Sequence, residues 1–143
     1  TNARQVDGQR SNFATLSMLS VSITDSQLAA AFHIVGPYII SPDYHKKQWD
    51  HFVCVAGMAK VVLYDQREDS PTRGKVNEFH MGRLNPILVK IPPHVYHGFT
   101  AEGPETALIV NFPTELYNYA EPDEFRLAYN DPSIPYSWEI RHG

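Results

Sequence analysis

The side chains able to do chemistry gather in two stretches. The first, Asp43-Tyr-His-Lys-Lys-Gln-Trp-Asp-His-Phe-Val-Cys-Val-Ala-Gly57, sets a carboxylate two residues before an imidazole, adds a second carboxylate at Asp50, and ends in a glycine turn after an apolar run. The second is Pro92-Pro-His-Val-Tyr-His97. Because strand residues alternate faces, Asp43 and His45 point the same way wherever the chain is extended. A carboxyl beside an imidazole is equipped for proton transfer: Asp43 becomes a usable base if burial raises its pKa, and His45 exchanges protons near its ordinary value of about 6.5.

Such groups need a rigid frame, and the punctuation of the chain supplies one made of strands. Eleven prolines and eight glycines cut the sequence into short pieces rich in Val, Ile, Phe, Tyr and Leu. These predict strands near Phe13–Met18, Val35–Ile40, Phe52–Ala56, Ala59–Tyr64, Val76–His80, Ile87–Ile91, His97–Thr100 and Ala107–Phe112. A short helix over Gln27–Phe32, capped by Asp25 or Ser26, competes with a strand in the same stretch. From Ala120 onward, Pro122, Pro132 and Pro135 predict a loop or short helix packed on the frame by Phe125, Tyr129, Tyr136 and Trp138. The expectation is an all-β, antiparallel sandwich or small barrel, in which inward-facing polar side chains converge on the mouth.

The 143 residues fit a single domain over 1–143, large enough to hold a core without disulfide or structural metal. Cys54, the one cysteine, lies in an apolar run and reads as a buried thiol in a reducing compartment. A net charge of −4 without a basic stripe argues against nucleic acid as partner. No apolar stretch approaches the roughly 18 residues of a membrane span, and no basic-then-apolar signal opens the chain, so the expected setting is cytoplasmic, with no membrane partner. His51 and His80 read as strand-surface residues, and Trp49 and Tyr44 as packing or rim.

The first stretch resembles the opening motif of the cupin barrel, with Asp43 in the place of its first histidine. Pro92-Pro-His-Val-Tyr-His97 resembles the second, Pro-x-Gly-x-x-His, with His94 in the glycine position. Further matches are Leu63-Tyr-Asp-Gln-Arg-Glu-Asp-Ser-Pro-Thr-Arg-Gly74, Ile91–Phe99, Thr114-Glu-Leu-Tyr117 and Asn130-Asp-Pro132 followed by Trp138. Together these resemble the sugar-nucleotide epimerases typified by dTDP-4-dehydrorhamnose 3,5-epimerase. The loop Tyr44-His-Lys-Lys47 also resembles the related 3,4-ketoisomerases.

The resemblance implies an antiparallel cupin jelly-roll barrel, a homodimer, and proton transfer on a nucleotide-linked 4-keto-6-deoxyhexose with no cofactor and no metal. The implied catalytic set is Asp43, His45, Tyr117 and His97, with Tyr117 at the acid position, His45 at the second ketoisomerase histidine and Asp43 at the base position. Arg10 and Lys47 are the implied substrate contacts. The family's orienting aspartate has no counterpart in these residues. In the alternative, Asp43, His45, Asp50 and His97 fill the four ligand positions of the cupin pattern and could hold Fe(II), Mn(II) or Zn(II). A third possibility is a non-catalytic sugar-binding relative.

Overall fold

The computed structural model describes residues 15–16, 30–34 and 38–138. They form ten strands: β1 (Thr15–Leu16), β2 (Ala30–Ile34), β3 (Ile39–Tyr44), β4 (Asp50–Ala56), β5 (Met58–Asp65), β6 (Val76–Gly82), β7 (Leu88–Ile91), β8 (Val95–Ala101), β9 (Ala107–Asn111) and β10 (Phe125–Arg126). One sheet runs β1-β7-β4-β9-β2 and the other β10-β3-β8-β5-β6. Every pairing is antiparallel. Among the described residues there is no helix, and hence none long and apolar enough to cross a membrane.

Alternation decides what lies between the sheets. On β4, Asp50, Phe52 and Cys54 are buried while His51 and Val53 are only half-covered. On β9 the buried set is Ala107, Ile109 and Asn111. With Val61 and Leu63 of β5, Met81 of β6, Val89 and Ile91 of β7 and Val95 of β8, these side chains build one apolar core. The expected burial of Cys54 holds, and its thiol donates to the Ala56 carbonyl at 3.1 Å. The β4–β5 turn needs Gly57, whose φ is +67° and whose missing Cβ would stand 2.2 Å from the Thr106 carbonyl oxygen.

Most expected strands are present with slightly different ends. The strand expected to stop at Ile40 continues to Tyr44. Pro42, which lacks an N–H, is accommodated because the β3–β8 register shifts between Ile40 and Asp43, the mark of a bulge. In the contested early stretch the strand prevails from Ala30, where β2 pairs along the whole of β9. The rest of that helix, most of Phe13–Met18 and residues 35–37 lie outside the described residues, as does His142. The segment after Ala120 holds the short strand β10, with Phe125 stacked on Tyr44 at 5.0 Å. Trp138 is buried, but Tyr129 is half exposed and does not pack as expected.

The outer face of the second sheet carries a three-way clamp. The His80 imidazole reaches Glu102 at 2.8 Å and Glu78 at 2.9 Å, and Glu78 also accepts from the Tyr136 hydroxyl. Burial alone would lower the pKa of His80, but the Glu102 contact and then the Glu78 charge outweigh it and raise it. Burial would raise that of Glu78, yet Tyr136, Lys60 and His80 hold it down. A raised histidine stabilises fully below its unfolded value of 6.5 and a lowered glutamate fully above its own 4.5, so the clamp contributes most between these pH values. Exposure keeps the contribution below about 1 kcal/mol. Urea unfolding at pH 5.5 and 8.5 should show the wild-type chain losing more stability across that interval than His80→Gln, and equal losses would disprove the clamp.

Candidate functional site

One end of the sandwich brings the chemical residues together. Asp43 sits at the end of β3 directly opposite His97 on β8. Past Tyr44 the chain leaves the sheet, His45 opens the crossing loop, and β4 begins in the other sheet at Asp50. Alternation therefore sends Asp43 and His97 inward from one sheet and Asp50 inward from the other.

Asp50 is 1% exposed, and its carboxylate meets a full set of partners. Oδ1 accepts from Gln48 Nε2 at 2.8 Å and from Asn111 Nδ2 at 2.7 Å. Oδ2 lies 3.4 Å from His45 Nε2 and 3.5 Å from His97 Nε2. His97 Nε2 is also 3.1 Å from Asp43 Oδ1. The Nδ1 atoms of both imidazoles face backbone carbonyls, that of His97 toward Val95 at 3.1 Å and that of His45 toward Asp123. A carbonyl only accepts, so Nδ1 carries a proton in each ring, and Nε2 is the atom that faces the carboxylates.

Asp43 is pushed above the usual carboxylate range, first by burial. The His97 and His45 charges pull it back, and a hydrogen bond with Glu124 pushes it up again. Glu124 moves the other way: burial favours its neutral form, but Arg126, whose Nε donates to it at 2.7 Å, and the bond with Asp43 hold it down.

A cleft of about 230 Å³ opens beside the cluster, lined among others by His45, Lys47, Gln48, Tyr117 and Asp123. The structure thus gathers His45, Lys47 and Tyr117 at one opening, with Tyr117 about half exposed and edge-on to Tyr119 at 4.8 Å. His97, 3% exposed, lies beneath it and supports Asp43. Arg10 lies outside the described residues. Sequence reasoning missed Gln48, Asn111, Asp123, Glu124 and Arg126. The one available signal for the last three was an acidic pair and an arginine closely following Pro122, but nothing local says that they return to β3. Asp43, His45 and His97 each offer a ligand atom, all within 4.8 Å of one another, so these are the side chains that could hold a metal ion.

A family model described as dTDP-4-dehydrorhamnose 3,5-epimerase matches residues 39–142. The chain belongs to that family. Among curated proteins it is 48% identical over 97 residues to the "Probable low-salt glycan biosynthesis epimerase Agl13" of Haloferax volcanii, covering 67% of this chain and 62% of that protein. It is 43% identical over 95 residues to the spore coat polysaccharide biosynthesis protein SpsL of Bacillus subtilis, covering 66% and 63%. The chain thus spans somewhat over three-fifths of these relatives. The crystal structure of a dTDP sugar isomerase from Desulfovibrio desulfuricans G20 superposes with a TM-score of 0.79 at 27% identity, over 88% of this chain and 90% of that one. The paired antiparallel sheets are the family's cupin jelly roll.

Asn111 tests how the site is held. Its amide donates to Asp50, and its Oδ1 accepts the His51 N–H at 3.0 Å. Asn111→Leu leaves those buried groups short of partners and should cost about 1–3 kcal/mol in chemical denaturation. A change within error would show that Asp50 does not depend on it.

Proposed function

We propose that this chain moves a proton at a carbon beside the ketone of a nucleotide-linked 4-keto-6-deoxyhexose, as an epimerase or keto-isomerase in carbohydrate biosynthesis. The observation that carries this reading is the His45 imidazole, held between the Asp123 carbonyl and the Asp50 carboxylate at the edge of the cleft that Tyr117 also lines. Membership of the epimerase family and the biosynthetic roles in the names of the two curated relatives support it. We place the reaction in a homodimer, as the sequence resemblance implies.

His45 Nε2 takes the proton from the carbon, and Asp50 Oδ2, 3.4 Å away, stabilises the imidazolium that results. The electrons move onto the ketone oxygen. A carboxylate at the Asp43 position opposes that negative charge, and burial, which raises its pKa, weakens the opposition. The Tyr117 hydroxyl, which lines the same cleft, returns a proton to carbon, and Lys47, also on its lining, suits the diphosphate. Incubated in D₂O with a dTDP-linked 4-keto-6-deoxyhexose, the protein should incorporate deuterium beside the ketone. His45→Gln and Tyr117→Phe should each slow incorporation about 10²- to 10⁴-fold. Binding without incorporation would instead identify a non-catalytic sugar-binding relative.

One observation favours a second reading. Asp43, His45 and His97 converge, and both imidazoles turn Nδ1 to a carbonyl, the orientation that presents Nε2 to a metal. These three, with Asp50 beside them, would hold a divalent ion able to polarise the ketone. Elemental analysis of protein purified without added metal decides between the two. Stoichiometric iron, manganese or zinc, lost in His45→Ala, would put the metal-dependent cupin first.

A further inference from the structure

His45 is the first residue past β3, on a loop, with Nε2 3.4 Å from the Asp50 carboxylate, an acceptor that by itself would favour a proton on Nε2. What favours Nδ1 instead comes from the far end of the chain. Asp123 contacts this loop with both its main chain and its side chain. Its carbonyl accepts the His45 Nδ1–H. Its carboxylate accepts the backbone N–H of Lys46, at 3.0 Å to Oδ1 and 3.1 Å to Oδ2, and that of Lys47, at 2.8 Å to Oδ2. The loop thus closes around the carboxylate as it would around a bound anion, and the same residue that shapes the loop receives the imidazole proton.

The segment carrying Asp123 is itself fastened to β3 by other contacts. Phe125 pairs with Tyr44 and Arg126 with Asp43 in register, and the Leu127 N–H donates to the Pro42 carbonyl at 2.8 Å. The Lys46 ammonium lies 4.1 Å from the centre of the Phe125 ring. Removing the Asp123 carboxylate therefore leaves β10 in place but frees the loop. The N–H groups of Lys46 and Lys47 are exposed and can turn to water, so the loop loses its shape at little cost to the fold.

We propose that Asp123 is a positioning residue: by gathering the 45–47 loop around its carboxylate it holds the His45 ring against its own carbonyl, in the Nδ1–H tautomer with Nε2 turned toward Asp50. This rests on reading His45 as the group that acts at the cleft, yet the tautomer can be measured without any reaction.

Long-range ¹H–¹⁵N NMR at a pH where the imidazole is neutral should show the Nδ1–H form at His45 in the wild-type chain. In Asp123→Ala it should show exchange with the Nε2–H form, which a free histidine side chain prefers. Asp123→Asn keeps one oxygen for the Lys47 N–H and should recover much of the wild-type signature. In the deuterium assay, Asp123→Ala should lower kcat by about 10²-fold, the scale of a misplaced reacting group, with little change in KM. An Nε2–H signal at His45 in the wild-type chain overturns the proposal whatever the activity. So does an unchanged Nδ1–H signal in Asp123→Ala. A tautomer shift in a protein that catalyses no exchange upholds the role of Asp123 and removes the epimerase reading instead. If Asp123→Ala fails to fold, the wild-type and Asp123→Asn spectra still decide.

Discussion

A charged group shut away from water has to be met on every side, and Asp50 is the place where this chain meets that demand. Its two oxygens draw in Gln48 from the crossing loop, Asn111 from β9 and the imidazoles of His45 and His97. Asn111 in turn takes the backbone of His51, and the Phe112 N–H returns to the His51 carbonyl at 3.0 Å. One carboxylate thus ties both sheets and the loop between them. The sandwich cannot close at this end without assembling the site, and the site has no shape until the sandwich closes.

Two other acids show how partners, rather than burial alone, decide a carboxyl's character. Asp65 is fully buried, yet Arg67, Ser70 and Thr72 supply so many donors that, although burial pushes the other way, its carboxyl is held far below the usual range. The Arg67 side chain meets it at 2.9 and 2.8 Å, and the two hydroxyls at 2.6 Å. That carboxylate is spent on a turn. Asp43 is pushed upward first by burial, the His97 and His45 charges do not undo it, and the acid Glu124 beside it adds to the rise. The first arrangement locks a loop in its charged form, while the second favours the neutral acid more than water does.

The frame was legible because alternation and turn residues are local. Nearly every strand between Phe52 and Phe112 can be read from runs of Val, Ile, Leu and Phe between glycines and prolines, and the Asp43–His45 spacing says that both side chains face one way. What could not be read are the contacts made across long stretches of sequence. Asp123 reaches His45 over 78 residues and Asn111 reaches Asp50 over 61. Neither carries a pattern of its own. The strand through Pro42 was cut short for a related reason, since a proline is admitted to a sheet where a bulge removes the need for its N–H, and a bulge belongs to the pairing rather than to the residue. Tyr117 could be placed by family likeness alone, because an exposed tyrosine in a loop looks the same whether it packs or acts.

The hold of Asp123 on His45 also has a direction in time. A ribosome delivers the chain from its N-terminus, and at about 5–20 residues per second the 78 residues between His45 and Asp123 take roughly 4–16 s to appear. Late in that interval β3 can already pair with β8 and β4 with β9, and Asp50 can find Asn111, before the Asp123 carbonyl is there to receive the His45 ring. The nascent sandwich therefore carries an imidazole without its seat, and only the last part of translation supplies it.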